Sequence, residues 1–500
     1  MKISGKFILK VAGTLTVISL VVAALLGLVD SVTRDKIAAI EAENTRIAMS
    51  AVAPEGSEFG DKMEITDALA AAASAQAGGK SESYPSGKLV WWATGQPKFR
   101  KMYFDSWLER NADIAPGVEV EATTIATNND ALQKIAMYSM SGDYESMPDI
   151  LFLDSVGVVN MAMNGFLLDM TDYYSPMADQ FVPGAVSDAT IGGKIYALPD
   201  AVRPQMLFYN AEVFERYGVD PAMMNTFDGY LEAGRQLKEK SGGKVYLSYI
   251  DPGSYTWRYW CRRGLMPQAG AKIWDDAGNV VIGEDPGTKL ALGFLDQLNS
   301  EGLLYKTDMM QQPLYEATDE GIIATYYMGA FWDEFMRGNL TQTVGDWRAM
   351  AAPVFPEIGT GGAPVSTFYC LIDKHDDTYV GLLQKLWYDF VTDGEAYKTW
   401  VDQMMTENGP YNNPVSLEML KDPYWQEPSD FYGGQSFRKT ESEALNNPSA
   451  NLAVTPSDAE ADNIISAEIE TYVAGEQTME QAIANMDREL KARIGQAQIP

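Results

Sequence analysis

Histidine is almost missing from this chain of 500 residues: His375, in the run IDKHDD, is the single copy. Cysteine is nearly as scarce, with only Cys261 and Cys370, far apart in sequence. Neither count supplies the spacing of a zinc site, and a cysteine nucleophile or a Ser-His-Asp triad has little to be built from. The two cysteines read as small buried apolar residues. Basic residues are also short: 38 Lys and Arg face 69 Asp and Glu, for a formal net charge of −31. Phosphate backbones need clustered Lys and Arg, so no nucleic-acid partner is expected. The acidic surplus reads first as a solubility device. It leaves one enzyme class open, because a glycosidase needs only a pair of carboxylates.

What is present is the composition of a folded protein, 46% hydrophobic and 11% aromatic. That length exceeds what one core organises, so two globular lobes are expected. Lys2, Lys6 and Lys10 precede an uncharged run, Val11 to Val29, that stops at Asp30. As a helix this run would span about 28 Å, close to the hydrocarbon thickness of a bilayer. The leading lysines place the N-terminus in the cytoplasm and the remainder outside. No A-x-A cleavage site follows, and no cysteine for a lipid, so the run reads as an uncleaved anchor. Residues 1–30 are thus expected to form a cytoplasmic tip and transmembrane helix. Residues 31–87 would be a helical stem and then an Ala/Gly/Ser linker, ALAAAASAQAGGKSESYPSG.

From Lys88 strand and helix patterns alternate. KLVWWAT is a short apolar run suited to a strand covered on both faces. Phe99, Tyr103 and Trp107 follow at helical spacing, GVEVEATTI alternates as a strand, and NNDALQKIAMYSMSG returns to helix behind an Asn cap. PDILFLD is the third strand. This order predicts a parallel α/β sheet, with ligands bound beyond the strands' carboxyl ends. Near the far end Thr478 and Gln481 have capping-box spacing ahead of a final helix.

Several blocks then occur in the order found in the carbohydrate class of extracellular solute-binding proteins, the maltose-binding-protein-like components of ABC importers. PDILFLDSVGVVNMAMNGFLLDMTDYY and GGKIYALPDAVRPQMLFYNAEVFERYGVDP resemble that class most clearly. GNVVIGEDPGTKLALGFLDQLNSEGLL, GIIATYYMGAFWDEF and WRAMAAPVFPEIGTGGAPVSTFYCLIDK resemble its later segments. The resemblance implies a two-lobe periplasmic-binding-protein-like α/β fold with three hinge crossings. Lobe 1 would comprise 88–205 with 361–408, and lobe 2 would comprise 206–360 with 409–500. It also implies a sugar or sugar-like solute held between the lobes and ABC permease subunits as partners, with no catalytic residues, cofactor or metal. Separately, LVDSVTRDKIAAIEAENTR resembles the N-terminal anchor of the G subunit of Rnf-type complexes. That family's flavin-bearing S-G-A-T motif has no match here; the nearest string, Ser187-Asp188-Ala189-Thr190, lacks the glycine, so no flavin is expected.

A sugar offers apolar C–H faces and a rim of hydroxyls, so its site pairs aromatic platforms with planar hydrogen-bonding groups. By the resemblance Trp332 is the leading platform. Trp92 ends the first strand, and Tyr255 and Trp257 lie in SYTWRYW, where the second lobe would face the cleft. Arg203 and Gln205 approach the hinge, Asp154 ends the third strand, and Tyr369 lies on the returning strand. Each has a structural alternative: a core aromatic, a hinge-bridging arginine, or a helix cap at Asp154. Two other functions stay open, a glycoside-processing enzyme and a ligand-sensing ectodomain on the same scaffold.

Overall fold

Strand β1 (Gly87–Ala93) shows why the opening apolar run needs cover on both faces. Leu89, Trp91 and Ala93 enter one core, while Trp92 enters another on the opposite side of the sheet. The computed structural model describes residues 83–93, 98–182, 184–406 and 412–499. The chain divides into two units, Met1–Ser81 and Glu82–Pro500, and all described residues lie in the second. The expected anchor, stem and most of the linker fall outside them. Among the described residues no helix is long and apolar enough to cross a membrane.

Strands β2 (Val118–Thr124) and β3 (Ile150–Leu153) flank β1 in parallel, as the alternation of patterns requires. The helix Asn128–Ser141 follows β2, but its cap is Thr127 rather than an asparagine, with the hydroxyl accepting from the Asp130 amide. After a short hairpin, β4 (Thr190–Ile191) with β5 (Lys194–Ile195), comes the strand that organises the molecule. Strand β6 runs from Leu198 to Asn210 and is buried almost throughout.

Beyond a parallel pair, β7 (Ser248–Ile250) with β8 (Leu304–Lys306), the chain returns to β6 three times. Strands β9 (Thr325–Gly329) and β10 (Trp347–Ala351) flank its second half, from Gln205 and Met206 onward. Strand β11 (Pro364–Leu371) pairs with its first half and carries the sheet on to β3. One strand therefore belongs to two cores. Leu198 and Val202 pack with Trp387 and Phe390, whereas Met206, Leu207 and Phe208 pack with Trp332 and Trp347.

The core memberships follow two lobes, with one difference from the expected division. Val415, Met419 and Trp425, expected after residue 409 in the second lobe, instead pack against the first core. Trp425 stands edge-on to Tyr397, so this segment covers the helices of the first lobe before the chain crosses. The second core takes over again at Phe431. The final helix, Met479–Arg493, opens with the expected capping box and buries Ala482, Met486 and Leu490. Cys261 and Cys370 are free and fully buried.

Candidate functional site

The lobes meet where β3 ends. Asp154 follows its last residue and caps the helix Ser155–Met163: Oδ1 accepts from the Gly157 amide at 3.0 Å and from Asn128 Nδ2 at 3.2 Å. The other carboxylate oxygen lies 3.8 Å from Arg263 of the second lobe. Beside it, Ser155 Oγ donates to Asp188 at 2.8 Å, and Asn451, on the segment leading to the second lobe's closing helices, donates to the same carboxylate at 2.6 Å. Burial raises the Asp188 carboxyl above its ordinary value, against the bonds from Ser155 and Asn451.

The opposing wall is a π-helix, Thr256–Leu265. Such wide turns are uncommon and recur at functional sites. Its inner face puts Trp257, Trp260, Cys261 and Leu265 into the second core. Gly264 lets it lie directly on Tyr327, whose ring would stand 2.7 Å from any added Cβ. Tyr259 lies at the margin of that core, with the half-buried Tyr255 at 5.7 Å and Phe331 at 5.5 Å from its ring. The guanidinium carbons of Arg258 and Arg263 lie 5.5 and 5.3 Å from the Tyr259 ring centre, within cation–π range. Gln205 reaches the carbonyl of Tyr259 at 3.5 Å, tying the wall to β6.

Of the residues expected at the site, Asp154 and Tyr255 stand at this junction and keep part of their surface accessible. The others do not present a face to a ligand. Trp332, the leading candidate, is fully buried, stacked on Phe335 at 5.1 Å and set against Tyr326 at 5.4 Å. Its neighbour Phe331 is the half-buried ring that reaches Tyr259. Gly329 allows this, because a Cβ there would lie 2.7 Å from the Phe331 ring. Trp257 is likewise core, its indole N–H donating to Asp462 at 2.9 Å. Tyr369 is buried and donates to the Leu383 carbonyl at 3.3 Å. Trp92 packs beneath Tyr138 and Lys134, almost wholly covered.

Arg203 takes the structural alternative. It donates to Glu441 at 2.9 Å and to the Ala330 carbonyl at 2.9 Å, binding the helix Phe437–Ala444 and the end of β9 to the crossing strand. Gln205 is buried beside it. Arg258, Tyr259, Arg263, Phe331, Asp188 and Asn451 also stand at this junction and were not expected there from sequence. Tyr255, Tyr259 and Arg263 do recur every four positions, the one signal that could have joined them. Among the described residues no group of His, Cys, Asp and Glu could hold a metal ion.

Comparison with known proteins fits this geometry. Residues 109–357 match the family described as bacterial extracellular solute-binding proteins. An arabinooligosaccharide-binding protein of Halalkalibacterium halodurans is 25% identical over 274 residues, 53% of this chain and 58% of the relative. A second arabinooligosaccharide-binding protein, from Bacillus subtilis, is 22% identical over 38% of this chain and 44% of its own length. The chain thus matches only about half the length of these curated relatives. Among solved structures, an ABC-transporter-associated binding protein of B. animalis subsp. lactis, in complex with β-1,6-galactobiose, superposes with a TM-score of 0.62 at 22% identity, over 82% of this chain and 97% of that one. The globular part is a two-lobe binding-protein fold, and residues 109–357 within it are similar to the extracellular solute-binding proteins.

Proposed function

We propose that this protein captures an oligosaccharide, or a solute resembling one, between its lobes and delivers it to ABC permease subunits on the outer side of the membrane. The observation that carries the reading is the junction itself. The carboxyl end of β3, at Asp154, faces the aromatic and guanidinium wall of the Thr256–Leu265 helix across a strand common to both lobes. A ring between those walls would find Tyr255 and Phe331 for its apolar face, with Asp154, Asp188 and Asn451 for its hydroxyls. The two curated relatives, both named as arabinooligosaccharide-binding proteins, support the carbohydrate class.

In this reading lobe 1 comprises residues 88–205 with 361 to about 426, and lobe 2 the intervening and final stretches. The Val11–Val29 run tethers the protein to the membrane as a single pass, with the Ala/Gly/Ser tract giving the lobes reach. The protein works by reversible capture, without catalysis or cofactor. Titrating the full-length chain by tryptophan fluorescence with arabino-, galacto- and malto-oligosaccharides should give saturable binding to at least one, with closure visible as a smaller radius of gyration. Absence of binding across neutral and charged saccharides would overturn the reading.

A further inference from the structure

We propose that the saccharide taken by this cleft carries an anionic group, a uronate carboxylate or a sulfate ester, received by Arg258 and Arg263. The proposal rests on the solute-binding reading above and names its ligand more narrowly. Three arginines lie on one short helix in a chain of net charge −31. Their surroundings differ sharply. Arg262 is paired with two carboxylates, Asp458 at 2.5 Å and Asp462 at 3.1 Å. Arg258 is exposed, and among the described residues no carboxylate lies within ion-pair distance of its guanidinium. Arg263 has Asp154 alone, at 3.8 Å, too far for a hydrogen bond, and that carboxylate already holds the helix cap.

Both guanidiniums lie within cation–π range of Tyr259, and Arg263 reaches toward Asp154 of the first lobe. Burial holds Arg263 below its ordinary value, the mark of a cation whose lost hydration has not been replaced. A guanidinium in that position is completed by a planar or tetrahedral anion accepting two parallel N–H bonds. A neutral hydroxyl would satisfy one donor and leave the charge as it was. Asp154 and Asp188, on the opposite wall, suit hydroxyls rather than the anion, which orients the ligand with its charged group toward the second lobe.

The test is a calorimetric titration of the full-length chain with three probes of similar size: trigalacturonate, a sulfated disaccharide and neutral arabinotriose. One of the two anionic probes should bind at least about tenfold more tightly than the neutral one, the value of a single net charge-assisted bond. That preference should shrink as salt is raised. The anionic probe that binds identifies the group as carboxylate or sulfate. The double variant R258Q/R263Q should lose the preference while retaining a cooperative melt. R258Q alone, at an exposed position, gives the same information if the double variant fails to fold. Equal or tighter binding of arabinotriose, or a preference that survives both substitutions, would overturn this proposal and leave the solute-binding reading standing. Failure of all three probes, extended to the neutral panel above, would overturn both.

Discussion

Arg203 and Arg263 both stand between the lobes, and they solve the problem of an interior charge in opposite ways. Arg203 is held by Glu441 and by the Ala330 carbonyl, each at 2.9 Å, and it is part of the scaffold. Arg263 has one carboxylate at 3.8 Å and an aromatic ring, leaving its donors for something else. The same contrast separates Trp332 from Phe331, adjacent residues of which the larger is sealed in the core and the smaller reaches the junction. Size and charge mark a residue as important; the completeness of its contacts shows whether that importance is structural.

The largest effect should follow from breaking the saturated arginine. Arg203→Ala leaves Glu441 buried and uncompensated, which costs about 3–5 kcal/mol. Urea denaturation measures it, and the paired replacement Arg203→Met with Glu441→Leu should recover much of the loss. A near-neutral single substitution would mean that the ion pair does not anchor the crossing.

Trp332→Ala should be comparably damaging, about 3–5 kcal/mol, because it empties a fully buried aromatic site. Binding per folded molecule should be unchanged. Phe331→Ala should reverse the pattern, costing less stability but weakening saccharide binding by about 1 kcal/mol or more through the lost ring face. Melting curves and titrations on both variants test the assignment, which fails if Trp332→Ala is the binding mutant.

A smaller effect concerns Glu334, one helical position beyond Asp333 in the same hinge network. Burial raises its carboxyl from an ordinary 4.5 to about 7, with Arg203 and Arg337 opposing and Asp333 and Glu441 adding to the shift. The folded protein therefore binds this proton more tightly than the unfolded chain does. Its contribution to stability is fully present below pH 4.5 and is lost as pH rises to about 7. The melting temperature should carry that downward component across the window, and Glu334→Gln should remove it. An identical pH slope in the variant would show that Glu334 is not the titrating group. Least of all, Asp154→Ala should cost about 1 kcal/mol through the lost helix cap; no loss in a thermal melt would argue that the cap is dispensable.

The sequence carried the strands better than the site for a physical reason. KLVWWAT and PDILFLD are read by apolar runs and alternation, properties local to a few residues, and both appear as β1 and β3. The position of Asp154 at the end of β3 was legible because a strand end in a parallel sheet is a place defined by topology. That Trp332 is buried while Phe331 stays partly exposed was not, since it turns on how closely the chain folds back over Gly329. Nor could spacing reveal that Arg262 meets Asp458 and Asp462, far along the chain, while Arg258 and Arg263 do not. Nor do Val415, Met419 and Trp425 carry a local mark of which core they join.

The path of β6 through both cores also constrains how the protein can be made. The first core needs β11 beside β3 and Trp425 against its helices, and the second needs β9, β10 and the helix Phe437–Ala444 beside β6. Neither can close while the chain is emerging in order, since each draws partners from late in synthesis. The apolar strand β3 must wait unpaired with β11 through some two hundred intervening residues, the high-contact-order regime in which folding is slow and aggregation competes. A chain so threaded leaves apolar strand edges open for much of its synthesis, and that is the interval in which a holdase would act.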